Sequence, residues 1–444
     1  MDFTPHTTAD IEHMLGAIGL AGLDDLFAHL PEGVRPPRPL DLPGPLAESE
    51  VMDLIAGYGE ANRSDLVVFA GGGFYDHTVS PLVRALTMRP EFVTSYTPYQ
   101  PEVSQGVLQA LYEYQSMVTA ITGLEVTNAS LYDGATAAAE AMSLAVAATK
   151  RSTVWVSRAL APRTRRLLAT MTHPRGIEII EHPFVNGRTV WSRDAGPEPA
   201  ALLFGQPNYL GAVEDYDDAV GLAGDLGALA VVSFDPITLG ILRRPGDAGC
   251  DIAVAEGQPL GVPLSFGGPG VGIFAAKRKH LRRVPGRLVG RATDEQGRTS
   301  YVLTLRTREQ DIRREKASSN ICTNQSLIAI NAGIQLAWLG PEGLREMARQ
   351  SAQKAHYLAK RLEQLPGVAL ATTAPFVREF AITTPLDPAD VIAGMAGHGF
   401  LAGVALSDEY PEFPGGLLVA VTERRSKAQL DGYVAALEEV VRNG

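Results

Sequence analysis

Tyr96, Tyr99, Gln100 and Glu102 sit in the segment Phe92-Val-Thr-Ser-Tyr-Thr-Pro-Tyr-Gln-Pro-Glu102, where Pro98 and Pro101 hold the backbone extended and aim the polar groups outward. Polar aromatics on a stiff track suit an active-site wall or a subunit interface. Tyrosines packed with only their hydroxyls satisfied fit the same pattern. Farther along, Asn128-Ala-Ser-Leu-Tyr-Asp-Gly-Ala-Thr136 leads into an alanine-rich helix expected over Ala137–Ala148. The start of that helix would offer free backbone amides to an anion such as phosphate. Asp133 competes for the place, because as a cap its carboxylate takes the amides and repels a second anion. Two further groups carry a functional and a structural reading, the structural one favoured. His77, after the glycine cluster Phe69-Ala-Gly-Gly-Gly-Phe-Tyr-Asp-His77, is either a functional group or a hydrogen-bonded structural histidine, and Cys322, in Ser318–Gln325, either a nucleophile or a buried thiol.

A strand expected to end at Phe234-Asp235 is followed by another beginning at Asp251, then by Glu256-Gly-Gln-Pro259 and Ser265-Phe-Gly-Gly-Pro-Gly-Val-Gly272. In pyridoxal phosphate enzymes of the aspartate aminotransferase fold, a strand-end Asp protonates the pyridine nitrogen. A later strand then delivers the Schiff-base lysine shortly before such a glycine-rich loop. Here Ala253–Pro269 contains no lysine. The seven lysines of the chain are Lys150, Lys277, Lys279, Lys316, Lys354, Lys360 and Lys427. Lys277 and Lys279 stand among other cations, where an exposed protonated amine is a poor nucleophile. The order of a cofactor site is therefore present without its covalent anchor, and Asp235, followed by Pro236, reads as a cap. The glycine-rich loop lacks GK[ST] and is expected to serve close backbone packing.

The elements that would position these groups are legible in the hydrophobic pattern. Ile11, Met14, Leu15 and Ile18 recur at helical spacing behind Thr7 and Asp10, and Gly19 closes that helix. A short amphipathic piece around Leu26, Phe27 and Leu30 precedes Pro36, Pro37, Pro39, Pro43 and Pro45, which must be extended. From about residue 65, short β-rich runs alternate with helical ones: Asp65–Ala70, Thr153–Ser157, Ile177–Glu181, Ala201–Phe204, Leu229–Phe234, Asp251–Ala255 and Val271–Ala275. They are apolar nearly throughout, as strands covered on both faces should be. The alternation implies an α/β fold with a mostly parallel sheet. Val103–Ile121 reads as a helix whose apolar stripe faces the core or a subunit interface. Helices at Ser326–Leu339 and Pro341–Gln364, strands at Val368–Thr372, Val377–Thr383 and Leu417–Thr422, and a closing helix at Ser426–Val441 describe a smaller α+β domain. The expected organisation is an N-terminal helical arm (1–60), a large domain (61–325) and a small C-terminal domain (326–444).

Composition narrows the class. Hydrophobic residues make up 45% and charged ones 20%, as in ordinary globular proteins, and no apolar run is long enough to span a bilayer. With Asp2, His6 and Asp10 in place of a basic then apolar leader, a cytoplasmic protein is expected. Cys250 and Cys322 are the only cysteines, and neither has metal-ligand spacing, so no metal is expected. The net charge of −11 opposes nonspecific binding to nucleic acid or to an anionic membrane. Lys277–Lys316 departs from that balance, with thirteen Lys or Arg against five Asp or Glu. Such a run is either a solvated face whose charges pair on folding or a dock for an acidic partner.

Taken together and in order, several segments resemble the glycine dehydrogenase (decarboxylating) subunit 1 family. They are Thr8–Gly19, Ser95-Tyr-Thr-Pro-Tyr-Gln-Pro-Glu-Val-Ser-Gln105, Asn128–Thr136, Pro285-Gly-Arg-Leu-Val-Gly290 and Ser319-Asn-Ile-Cys-Thr323. The resemblance implies an aminotransferase-like fold, PLP fold type I, in the α subunit of the glycine cleavage system P protein. It also implies that pyridoxal 5'-phosphate is held covalently by a β subunit, glycine dehydrogenase subunit 2, in an αβ or α2β2 assembly. Glycine would there be decarboxylated and its aminomethyl carbon passed to the lipoyl group of H protein, with functional links to T protein and L protein. Tyr96, Tyr99, Gln100 and Glu102 are then candidates for the wall of a shared site, with no cofactor-binding residue in this chain alone. Arg278–Arg291 is a candidate dock for an acidic lipoyl carrier. A stand-alone pyridoxal phosphate enzyme and a noncatalytic scaffold remain open beside this reading.

Overall fold

A computed structural model describes residues 4–35 and 40–444. Pro36, Pro37, Pro39 and Asp2 lie outside the described residues. The chain divides into two units, 1–64 and 65–444. In the first, Thr7 caps the helix Thr8–Ala17 in a reciprocal box with Asp10: the Thr7 amide donates to Asp10 Oδ2 at 2.8 Å and the Asp10 amide to Thr7 Oγ1 at 3.3 Å. Gly19 follows at φ 77°, and a single 3₁₀ turn, Leu23–Phe27, takes the place of the second amphipathic piece. A helix not foreseen from the sequence, Glu48–Glu60, carries Val51, Leu54, Ile55 and Tyr58 along one exposed stripe.

The second unit is built on a seven-stranded sheet in the spatial order Val126–Thr127, Gly272–Ala276, Ile252–Glu256, Leu229–Phe234, Ala201–Gln206, Thr153–Ser157 and Glu178–His182. The last five of these run parallel, while Gly272–Ala276 is antiparallel to both its neighbours. Thr153–Ser157, Ala201–Gln206 and Gly272–Ala276 are buried along their whole length, which explains why their sequences do not alternate. Helices cover both faces. On one side Gln105–Thr122 buries Val107, Leu111, Tyr114 and Val118, the stripe expected of it. On the other, Gly134–Thr149 packs its alanines against the strands.

The run at Asp65–Ala70 does not join this sheet. Its short strand Val67–Val68 pairs in parallel with Phe400–Leu401, and Phe69 enters the C-terminal core beside Phe400 and Tyr433. That core lies under an antiparallel sheet in the order Ala369–Leu370, Glu379–Thr383, Gly416–Ala420, Val404–Ala405. The helices Pro388–Gly397 and Lys427–Asn443 cover it. The long helical stretch Ser326–Leu362 breaks at Gly340, whose φ of 61° and ψ of −178° leave the helix just before Pro341 starts the next.

The loop after Ala201–Gln206 meets the C-terminal sheet edge-on: the Val213 amide donates to the Pro375 carbonyl at 2.7 Å, and Ala212 bridges to Phe376. Gly211 makes this approach possible. It has φ 85°, and a Cβ there would stand 1.9 Å from the Glu379 carbonyl oxygen. Gly211→Ala is expected to destabilise the chain by about 2–4 kcal/mol in urea unfolding; a loss within about 0.5 kcal/mol, typical of an unconstrained surface site, would show that the two elements part without cost.

Candidate functional site

The strand-end Asp235, the helix start at Gly134 and the lysine-free loop after Glu256 do come together, around a cavity of about 90 Å³. Each of them is already engaged within the chain. Asp133 caps the helix, accepting from the Thr136 amide at 2.7 Å. Glu256 closes what remains: its carboxyl accepts from the backbone amides of Gly134 at 3.1 Å, Val271 at 3.1 Å and Gln258 at 2.9 Å. Burial pushes the Glu256 pKa up against the pull of those three N–H groups. Gly134 and Gly272 permit the packing, since a Cβ on Gly134 would lie 2.5 Å from the Glu256 amide and one on Gly272 would lie 2.4 Å from the Asp133 carbonyl oxygen. Close packing thus holds at the end of the glycine-rich loop, whereas Phe266 is exposed and Gly267 and Gly268 face open space.

Asp235 is consumed by an ion pair with Arg378, a residue only 2% exposed. Arg378 also lies 3.5 Å over the Tyr75 ring and contacts Nε2 of His77, whose Nδ1 is 2.6 Å from Glu423. A guanidinium only donates, so Nε2 must accept and the Nδ1–H must face Glu423. Burial and Arg378 together lower the His77 pKa, which keeps the ring neutral. Burial opposes ionisation of Glu423, yet the His77 and Thr78 hydrogen bonds hold it down to about 2. His77 is therefore the structural histidine expected. Next to it, Glu379 accepts from the Gly72 amide at 2.7 Å and the Tyr75 hydroxyl at 2.7 Å, and burial raises its pKa to about 7.

Pyridoxal phosphate does not fit these residues. The helix amides are taken by two carboxyl groups, Asp235 is paired, no lysine lines the cavity, and 90 Å³ falls well below the about 300–1,000 Å³ of usual ligand pockets. Glu256 and Arg378 were not singled out from sequence. A signal existed for the second, because Arg378-Glu379 puts two charges inside an otherwise apolar strand run, which requires buried partners.

The quoted motifs converge in a second place. Arg287, 4% exposed, donates to the Tyr99 hydroxyl at 2.9 Å, to the Cys322 carbonyl and to Asn324 Oδ1 at 3.4 Å. Its guanidinium and that of Arg306 lie 5.2 and 5.5 Å from the Tyr99 ring centre. Asn324 Nδ2 and the Gln325 amide donate to Ser130 Oγ at 2.8 and 3.1 Å, holding that residue at φ 148°. Asn128 Nδ2 reaches the Pro285 carbonyl at 2.9 Å. Of the four sequence candidates only Tyr99 bonds to the cluster; it is exposed, as are Tyr96, Gln100 and Glu102 beside it. Cys322 is also exposed, contrary to the buried thiol expected, because its carbonyl is the group turned inward to Arg287. Several polar atoms here are buried without a partner: Thr97 Oγ1, Asn128 Oδ1, Glu309 Oε1, and the Nε atoms of Arg287, Arg306 and Arg308.

The charges of the basic run fall into two groups. Lys277 and Lys279 pair with Asp251 at 3.1 and 2.8 Å, and Arg298 with Asp294 at 2.7 Å. Arg282, Arg308, Arg313 and Lys316 instead line an open cleft of about 500 Å³ with no carboxylate in its lining. Among the described residues no cluster of His, Cys, Asp or Glu could hold a metal ion, and no helix is long and apolar enough to cross a membrane.

Glu379 gives the site a pH signature. Its folded pKa of about 7 exceeds the ordinary 4.5, so between these values the folded chain keeps a proton that the unfolded chain has released, and stability falls as pH rises. The contribution is complete below 4.5 and gone above 7. Across that window the stability advantage of wild type over Glu379→Gln should shrink by on the order of 3 kcal/mol. Parallel urea-unfolding profiles of the two proteins would show that Glu379 ionises normally.

A family model described as "Glycine cleavage system P-protein" matches residues 1–435. The "Probable glycine dehydrogenase (decarboxylating) subunit 1" of Moorella thermoacetica is 46% identical over 99% of this chain and 100% of its own length. Its counterpart from Chlorobium limicola is 47% identical over 98% and 99%. Among solved structures, an inhibitor-bound glycine decarboxylase (P-protein) of the glycine cleavage system is 44% identical and superposes with a TM-score of 0.88, over 99% of this chain and 100% of that one. An alanine–glyoxylate aminotransferase from Nostoc sp., at 18% identity and TM-score 0.58 over 85% of this chain and 95% of that one, shares the fold alone. The expected PLP fold type I architecture is therefore present, and the chain belongs to the glycine cleavage system P-protein family.

Proposed function

We propose that this chain is the α subunit of a heteromeric glycine decarboxylase acting in the cytoplasm, and that its partner, subunit 2, holds pyridoxal 5'-phosphate on a lysine that this chain lacks. The observation that carries the reading is the filled helix start: Glu256 and Asp133 occupy the amides that would otherwise receive a phosphate. When bound, the cofactor supplies an electron sink for loss of carbon dioxide from glycine. This chain's residues supply walls, exclusion of water and positioning. H protein then carries away the aminomethyl carbon on its lipoyl group, with functional links to T protein and L protein.

Tyr96, Tyr99, Gln100 and Glu102 are the proposed wall of the shared region. Support comes from the mooring of Tyr99 by Arg287 at the junction of four motifs, and from the unmet polar atoms around it, which a second chain can satisfy. Misplacing a reacting group by about 1 Å costs on the order of a hundredfold in rate, so a wall without covalent chemistry still matters. In the purified α/β complex, Tyr96→Phe and Tyr99→Phe should each slow decarboxylation or the H-protein step by roughly tenfold, the lower end of that sensitivity. Unchanged kinetics in both would remove these tyrosines from the site. Borohydride reduction of the complex should place the pyridoxyl label on the partner. A label on any of this chain's seven lysines would favour a stand-alone enzyme. Full activity of the partner alone would favour a scaffold.

The open cleft at Arg282, Arg313 and Lys316 supports the basic segment as the dock for an acidic lipoyl carrier. Reversing the charge at Arg282 and Arg283 should raise the carrier's apparent KM and flatten its salt dependence. If neither changes, the carrier docks elsewhere.

A further inference from the structure

Phe266 combines two costly features. Its side chain is 96% exposed, more than any other large apolar side chain among the described residues, and its backbone sits at φ 50°. In that left-handed conformation Cβ crowds the following carbonyl oxygen, so bulky residues seldom adopt it. Gly267 follows at φ 95°, and a Cβ on Gly267 or Gly268 would meet no atom within 4 Å, so the loop tip stands clear of the body. Every residue of Pro263–Gly267 is exposed, yet none is charged, in a chain that is 20% charged. An exposed, charge-free loop tipped by an aromatic ring has the composition of an interface core, where charged residues are depleted and Phe is enriched.

The loop joins the cluster around Tyr99 through successive contacts. A Cβ on Gly270 would lie 3.4 Å from the Asp133 Cβ, and Leu131 bridges to Gly272. Ser130 accepts from Asn324, which accepts from Arg287, the residue that moors Tyr99. Along this path Tyr132, Tyr99 and Tyr96 are 36%, 45% and 76% exposed. With Phe266 these rings present on the order of 500 Å², taking 150–250 Å² for a whole aromatic side chain. That is the better part of the roughly 800 Å² each partner gives to a standard interface. The tyrosines carry hydroxyls that need partners, whereas the phenyl ring alone can be seated in a dry pocket.

We propose that Phe266 anchors the contact with the partner subunit, its ring seated in an apolar pocket on that chain. The inference rests on the heteromeric reading above, because continuity with the Tyr99 wall is what assigns the loop to that partner and not to a second copy of this chain. Such anchors carry most of an interface's binding free energy.

The test is calorimetric titration of the purified partner subunit, loaded with its cofactor, by the full-length chain. Phe266→Ala should weaken association at least about thirtyfold, the equivalent of about 2 kcal/mol. Phe266→Asn, which accepts the left-handed backbone, should weaken it as much, and Phe266→Leu less than either. The Tm of the isolated chain should stay within about 2 °C in all three, as for an ordinary surface site. A p-benzoylphenylalanine placed at position 266 should crosslink to the partner subunit on illumination. If wild type binds the partner and the Ala and Asn variants bind as tightly, the anchor is overturned while the heteromeric reading stands. If wild type does not bind the partner at all, both fall. Crosslinking to another copy of this chain alone overturns the anchor in favour of self-association, and the crosslink decides the matter even if a variant misfolds.

Discussion

One buried positive charge organises the interior of the larger unit. Arg378 leaves water almost completely, a transfer that costs several kcal/mol unless the charge is met by good partners. Asp235 at the end of a central strand, His77 from the entry loop and the face of Tyr75 meet it. Since Arg378 precedes the strand Glu379–Thr383, the network fastens the C-terminal sheet to the carboxyl end of the parallel sheet. Removing one partner would strand the rest, so this device specifies one arrangement of the two sheets.

The same device shows how the anion and acid positions of a PLP-type framework are filled from within the chain. A helix start and a strand-end acid are general tools for binding an anion and protonating a ring. Both tools have been turned inward, the amides toward Glu256 and Asp133 and the acid toward Arg378. An internal carboxyl tethered to its own strand pays far less entropy than a ligand would in reaching the amides.

Around Tyr99 the unmet polar atoms are more numerous, although Arg378 too keeps its Nε buried without a partner. Buried polar groups in a finished interior are paired almost without exception. Here three arginine Nε atoms, a threonine hydroxyl, an asparagine oxygen and a glutamate oxygen are not. Four sequence segments far apart in the chain are drawn together to create this half-satisfied surface. Its incompleteness matches a chain that contributes to a larger assembly.

The sequence by itself determined the alternation of apolar runs and helices, the break at Gly340-Pro341, the Thr7 cap and the missing lysine, because each depends on local periodicity, local backbone freedom or simple presence. The short edge pieces were less legible: Val67–Val68 looks like any apolar strand, and only its two-stranded pairing with Phe400–Leu401 assigns it to the C-terminal core. The Glu48–Glu60 helix went unread because it directly follows the proline-rich stretch that ends at Pro45. Tertiary structure alone decided that Glu256 fills the helix start, that Asp235 belongs to Arg378 and that Tyr99 rests on Arg287. These partners lie roughly a hundred or more residues apart, and no local pattern in a sequence encodes which buried charge will find which.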